Sequence, residues 1–226
     1  MTITAEFVTS AAQVADLPRD SLPEIALVGR SNVGKSSLIN ALVRARVART
    51  SARPGKTRTA NVYRVRKGTA SLYVVDLPGY GYAPGGAEFE ELTRSYFERG
   101  APGRASHGPG AAGARVHALL LVDSRHPGLD KDVEARNWLE STGTTVALVA
   151  TKIDKLARGQ RIRAREAFES VFEDSVLPVS AVTGEGLDEL WKLIDRLASN
   201  RNSINPRSRP PASIPPKAMA RRPPRK

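Results

Sequence analysis

The 226-residue chain has no cysteine, which excludes disulfides, thiolate metal sites and cysteine nucleophiles together. Its first twenty residues, MTITAEFVTSAAQVADLPRD, lack a basic segment followed by an apolar stretch, so they do not read as a signal peptide. No apolar run approaches the length of a membrane span; residues 144–150 are far too short. There is no internal repeat. The three histidines, His107, His117 and His126, join no cluster of acids that would hold a structural metal. A cytoplasmic chain with no membrane partner is the expectation. Acidic residues are missing altogether from 201–226, where eight Lys/Arg stand among seven of the sixteen prolines. Most of the formal net charge of +12 therefore sits in this tail. The prolines exclude a continuous helix or strand, and the tail is expected to be disordered until something binds it.

What the sequence does contain is an alternation of apolar strands with amphipathic helices, the pattern of a mainly parallel sheet covered on both faces. Strands are predicted at 25–29, 61–66, 72–76, 116–123, 145–151 and 176–180. The pair flanking Lys67-Gly68 reads as a hairpin. Helices are predicted at 36–44, 88–99, 130–140, 160–172 and 187–198. In the last, Leu187, Leu190, Trp191, Ile194 and Leu197 form one core-facing stripe. The low-complexity stretch 100–114, GAPGRASHGPGAAGA, reads as a flexible surface insertion between a helix and a strand.

Three motifs carry chemistry. Gly29, Arg30, Ser31, Asn32, Val33, Gly34, Lys35 and Ser36 match G-x-x-x-x-G-K-[ST] between a strand and a helix. Backbone N–H groups of such a loop curl around phosphates at the positive end of the helix. Lys35 then reaches the β- and γ-phosphates, and the Ser36 hydroxyl ligates Mg²⁺. Asp76, Leu77, Pro78 and Gly79 follow a buried strand, where an Asp is needed to hold Mg²⁺ and a glycine N–H can bond the γ-phosphate. Between them, Gly55, Lys56, Thr57, Arg58 and Thr59 lie in a loop where a hydroxyl can complete the metal shell only while the γ-phosphate is present. Thr57 is the first choice and Thr59 the alternative. Third, Thr151, Lys152, Ile153 and Asp154 end a buried strand. The Asp154 carboxylate can accept two hydrogen bonds from the guanine N1–H and amino group, a donor pair adenine lacks, while the Lys152 stem packs on the base. Val179, Ser180 and Ala181 close the set with backbone contacts to guanine O6. The reading is a three-layer P-loop GTPase domain: a six-stranded, mainly parallel sheet with one antiparallel strand, over residues 21–200. Residues 1–20 are read as an N-terminal extension.

These residues resemble the EngB (YihA/YsxC) family of ribosome-assembly GTPases, within the Era-like P-loop superfamily. The likeness rests on GRSNVGKS (29–36), PGKT (54–57), DLPGYGYA (76–83) and DSRHP (123–127), and it covers about 22–198. The resemblance implies a nucleotide switch in assembly of the large ribosomal subunit, with a linked requirement in cell division and septation. Two rivals remain open: an RNA-binding assembly factor in which nucleotide is structural, and a switch whose effector is a protein. After Gly79 stands Tyr80, where Ras-like proteins carry a water-orienting Gln, so slow hydrolysis is expected. Asn32 matches a position that holds K⁺ in some relatives, a cation that would assist Lys35, Thr57 and Gly79 in catalysis. Tyr80 and Tyr82 read either as partner contacts or as packing beneath their loop. Arg44, Arg46, Arg49, Arg53, Lys56 and Arg58 read as a solvated loop or as an rRNA contact. A monomer is expected.

Overall fold

The computed structural model describes residues 2–49, 59–80, 91–99 and 116–199. Seven strands build one sheet: β1 (Ile3–Ala11), β2 (Glu24–Gly29), β3 (Ala60–Lys67), β4 (Ala70–Asp76), β5 (Val116–Asp123), β6 (Thr145–Thr151) and β7 (Val176–Pro178). Five helices accompany them: α1 (Lys35–Val43), α2 (Glu91–Glu98), α3 (Asp130–Ser141), α4 (Arg158–Phe172) and α5 (Leu187–Ser199). The sheet order is β1-β3-β4-β2-β5-β6-β7. Strands β4, β2, β5, β6 and β7 are mutually parallel, and β3 is antiparallel to both of its neighbours. The single reversed strand is as the sequence predicts.

The central strands are buried on both faces, which is why they read as unbroken apolar runs. All six residues of β2 are buried, and the two-residue period sorts them. Ile25 and Leu27 join α1 (Leu38, Ile39, Leu42) and α5 (Leu190, Trp191, Ile194) in one core. Ala26 and Val28 join α2 (Tyr96, Phe97), α3 (Ala135, Leu139) and α4 (Phe168, Phe172) in the other. Two helices thus cover one face and three the other. The predicted stripe of the last helix packs as expected, and the Trp191 indole N–H also donates to the Leu42 carbonyl across 3.1 Å.

The strand count is seven rather than six, because Ile3–Ala11 is the sheet's edge strand rather than an extension before it. It pairs with β3 from Ile3↔Lys67 to Ala11↔Ala60, with a bulge between Phe7 and Thr9. Of its nine residues only Ala11 is fully buried, and Phe7 is 54% exposed. A strand so lightly buried carries little hydrophobic signal of its own, and its place is set by pairing with a strand about fifty residues away. Glu24, at the start of β2, is buried beneath Tyr96 and Arg99 at the end of α2, with the Tyr96 hydroxyl donating to it at 2.6 Å and the Arg99 guanidinium paired to the same oxygen. That pairing fixes where α2 crosses the sheet.

The chain winds from β2 out to β4 on one side and then crosses to β5 on the other, so the strand order reverses at β2 and the crevice at its carboxyl end is where ligands bind in open α/β sheets. The predicted phosphate and base motifs follow β2, β4, β6 and β7, all at that end.

Candidate nucleotide-binding site

The phosphate end is built by the turn from β2 into α1. Asn32 (φ 63°) and Gly34 (φ 112°) are both left-handed, and two such residues curl the loop so that its backbone faces inward. Lys35 opens α1 and folds back, its Nζ donating to the Gly29 carbonyl at 3.2 Å. The Ser36 hydroxyl donates to Asp76 Oδ2 at 2.7 Å, joining α1 to the end of β4. Burial pushes the Lys35 ammonium down and the Asp76 carboxyl up, and each opposes the other's shift by its charge. Both groups are therefore short of compensating charge. A polyphosphate beside Lys35 and a hard cation beside Asp76 would supply it. The neighbouring oxygens of Ser36 and Asp76 suit Mg²⁺, which uses only one or two carboxylates and completes its shell with other oxygens, phosphate and water among them. No cluster of three His, Cys, Asp or Glu able to hold a metal occurs among the described residues.

The base end is assembled from three loops. Thr151 closes β6, and its buried hydroxyl lies 2.7 Å from the Val33 carbonyl, tying this strand to the phosphate loop. Lys152 is held left-handed (φ 62°). Its Nζ donates to the Asn32 carbonyl at 2.6 Å and to Asp123 Oδ2 at 2.9 Å. Burial pushes the Asp123 carboxyl up, but bonds from Arg125 and Lys152 outweigh it and hold it well below the usual carboxylate range. Asp154 sits in the short helical turn after Lys152, where Oδ1 accepts from the Ser180 hydroxyl at 2.7 Å. That hydroxyl in turn accepts from the Val182 and Thr183 N–H groups at 3.2 and 3.0 Å. The Ser180 bond, with a smaller contribution from nearby Lys155, holds the Asp154 carboxyl below its ordinary value. Ile153 N–H donates to Val179 O at 3.3 Å, which seats the turn against the end of the sheet, with Ala181 next in the chain.

The structure brings together Gly29–Ser36, Asp76–Gly79, Thr151–Asp154 and Val179–Ala181. Thr59 stands two residues before Asn61, the cross-strand partner of Asp76. Gly55, Lys56, Thr57 and Arg58 lie outside the described residues, as do Arg53, Tyr82, the 100–114 insertion and the tail. Tyr80 is buried, 4% exposed, with its hydroxyl donating to Asp132. Of the two readings for this ring, packing is the one realised.

Some site residues carry no sequence signal. Asn40 accepts from the Val47 and Ala48 N–H groups and donates to the Ala48 carbonyl, fixing the chain that leads toward Thr57. Asp123 stands out only as part of DSRHP, with no role legible until Lys152 is seen to reach it. His126, in the same stretch, is exposed and gives its backbone N–H to Asp123 O.

A phosphate loop after the first parallel strand, with a Lys and an oriented carboxylate ending a later one, defines a P-loop GTPase. The family model described as 50S ribosome-binding GTPase matches residues 24–152. A protein of Pelotomaculum thermopropionicum named "Probable GTP-binding protein EngB" is 41% identical over 197 residues, covering 85% of this chain and 94% of its own. One of the same name from Oceanobacillus iheyensis is 39% identical over 201 residues, covering 85% and 95%. The chain belongs to the EngB family of GTP-binding GTPases. Among solved structures it is similar to Aquifex aeolicus Era bound to GDP and AlF4⁻, with a TM-score of 0.63 and 24% identity. That match covers 80% of this chain and 58% of that one. Era in complex with MgGDPNP and a segment of 16S ribosomal RNA gives a TM-score of 0.64 at 23% identity, over 84% and 61%. The chain thus spans about three fifths of Era's length, and at these identities the likeness is one of fold. No helix among the described residues is long and apolar enough to cross a membrane.

Proposed function

We propose that this GTPase is a slow, Mg²⁺-dependent nucleotide switch, cytoplasmic and monomeric, acting in assembly of the large ribosomal subunit and linked through it to cell division. What carries the reading is a base-selective carboxylate, Asp154, held by Ser180 across the crevice from a phosphate loop, in a chain about 40% identical to EngB proteins. Asp154 and Lys152 read guanine, and Val179–Ala181 close on its O6. Gly29–Ser36 cradle the phosphates, and Gly55–Thr59 and Asp76–Gly79 are the two segments that respond to the γ-phosphate. Mg²⁺ would be held by Ser36, Asp76 and Thr57, and would neutralise charge on the β- and γ-oxygens.

Hydrolysis is in-line attack of water on the γ-phosphorus, breaking its bond to the β–γ bridging oxygen and releasing phosphate and GDP. Lys35 neutralises the departing charge, and the Gly79 N–H bonds the γ-phosphate. The Tyr80 side chain, turned into the core, does not orient the water. A K⁺ ion beside Asn32 would supply charge that an arginine supplies elsewhere. Faster turnover in K⁺ than in Na⁺, lost in Asn32→Ala, tests this, and equal rates in wild type refute it.

The deciding experiment measures binding of the full chain to large-subunit precursors with GTP, with GDP and without nucleotide. Tight binding with GTP alone supports the switch. Equal binding in all three states makes nucleotide structural, and absence of binding points to a protein effector. A chain ending at Asn200, without the basic tail, should keep its GTP affinity but bind precursors with a flatter salt dependence, since each lost phosphate contact removes about 0.7 from the log–log slope on single strands.

A further inference from the structure

Three residues far apart in sequence meet beside the phosphate loop, and the reaction as described uses none of their side chains. Arg30 is the second residue of that loop, Tyr80 follows Gly79, and Asp132 is in the first turn of α3. The Tyr80 hydroxyl donates to Asp132 Oδ1 at 2.7 Å. Arg30 Nε approaches the same oxygen at 3.2 Å. Asp132 is 1% exposed, so its charge has been taken out of water and depends on these two neighbours and on the N-terminal end of α3. Burial pushes its carboxyl up while the Tyr80 bond and Arg30 pull it back. An isolated buried carboxylate is costly, so this one depends on its partners, and the shared contact ties Tyr80 and Arg30 together.

What it holds is the backbone on either side of Gly79. Arg30 and Tyr80 form a parallel bridge beyond the ends of β2 and β4, and Ser31 N–H points to Tyr80 O at 3.4 Å. The approach leaves no room for a side chain at Gly79, where a Cβ would stand 2.7 Å from Ser31 N and 2.9 Å from its Cα. The Tyr80 ring therefore anchors the segment after Asp76 to α3, and Arg30 anchors the phosphate loop to the same carboxylate.

We propose that Asp132 is a positioning residue for GTP hydrolysis, acting through Tyr80 and Arg30 to set the Gly79 backbone against the phosphate loop where the γ-phosphate binds. The proposal rests on Gly79 contacting the γ-phosphate, as assigned above. Its prediction is a split between GTP and GDP, because GDP lacks the group that Gly79 meets.

The test uses the full chain with Mg²⁺, measuring Kd for GDP, Kd for a non-hydrolysable GTP analogue, and single-turnover hydrolysis of bound GTP. Tyr80→Phe keeps the ring and removes only the hydroxyl. It should lower both the analogue affinity and the single-turnover rate by about tenfold, the scale of one displaced hydrogen bond to a charged group, while GDP affinity stays within about twofold. Asp132→Asn, which keeps an acceptor for Tyr80, should change the same quantities less. Combining the two should cost less than the sum of the single changes, since both disturb the Tyr80–Asp132 contact and only the weaker hold on Arg30 is added. Equal weakening of GDP and the analogue with an unchanged rate on bound GTP would reduce the triad to simple packing and overturn the proposal, as would no change at all. Gly79→Ala, whose Cβ must displace Ser31 and so weakens both nucleotides, separates the two levels through the GDP-to-analogue ratio alone. If it shifts the GDP-to-analogue ratio and Tyr80→Phe does not, the anchoring role fails alone. If Gly79→Ala leaves the ratio unchanged, the assignment of Gly79 to the γ-phosphate fails and this proposal with it.

Discussion

The two ends of the nucleotide crevice are built on opposite terms. At the base end the side chains already have partners: Asp154 has Ser180, Ser180 has two backbone N–H groups, and Lys152 has Asp123 and the Asn32 carbonyl. At Asp154 the Ser180 bond outweighs burial, and its partners favour the charged form. At the phosphate end Lys35 is half-buried and Asp76 buried, and burial is the largest influence on each, opposed to the charged form. One end is finished before ligand arrives; the other holds charge that the ligand must complete. Selectivity for guanine gains from a rigid acceptor, because preorganisation removes the cost of ordering on binding. Response to the γ-phosphate gains from the reverse, since a group with exchangeable partners binds differently in two states.

The sharpest way to break this contrast is at Asp154. Asp154→Asn replaces one acceptor oxygen with a donor against guanine, and GTP and GDP affinity should both fall by about 3 kcal/mol or more. Xanthine nucleotides, whose C2 carbonyl accepts from the new amide, should bind better than to wild type. Titration with fluorescent guanine and xanthine nucleotides reads both, and undiminished guanine binding removes Asp154 from the base site.

A smaller change asks whether preorganisation itself matters. Ser180→Ala leaves the carboxylate in place but unheld, and affinity for GTP and GDP should drop together by about tenfold, near the net value of one hydrogen bond to a charged group. The pH dependence should move with it. A carboxyl held below its ordinary value stays ionised as pH falls through the usual carboxylate range, so wild-type binding should persist there. Without Ser180 the carboxyl rises toward its ordinary value, and binding should be lost at a higher pH. Superimposable pH profiles for the two proteins would show that Ser180 does not tune Asp154.

The mildest effect is expected in the free protein. Lys35→Met removes a desolvated ammonium, so the melting temperature without nucleotide should rise by about 2–4 °C, as when a strained functional residue is replaced in a domain of this size. The rise produced by saturating Mg²⁺–GTP in wild type should disappear. A lower melting temperature for the free variant would mean that the Lys35 bond to Gly29 and its charge beside Asp76 together stabilise more than burial of the ammonium costs.

Both motif ends were legible in the sequence because each is a contiguous string at the end of a buried strand. Their partners were not, because contacts across the fold leave no spacing to read. Ser36 and Asp76 were named separately, with nothing to say that one hydroxyl donates to the other. Asp132 is an ordinary acid on a predicted helix until α3 docks beside Tyr80, and Asn40 is an ordinary polar residue until the chain turns back over it. For Tyr80 local sequence left packing and exposure equally open, and the deciding fact was a carboxylate fifty-two positions later. The same holds for β1, whose Thr, Ser and Glu side chains give no buried stripe.

That edge strand has a consequence for how the protein comes into being. Pairing Ile3 with Lys67 closes a loop containing the phosphate loop and all of α1, and the entropy of closing so long a loop is spent before the contact returns anything. During synthesis the first strand leaves the ribosome without a partner and waits until the chain has reached Ala60, the partner of Ala11. Its partner β3 carries Val62, Tyr63 and Val65, all buried in the finished protein, and a chain that loses its first eleven residues would leave the outer edge of β3 uncovered. Such a shortened chain should associate through that edge, as unprotected strands do, a change that size-exclusion chromatography would read.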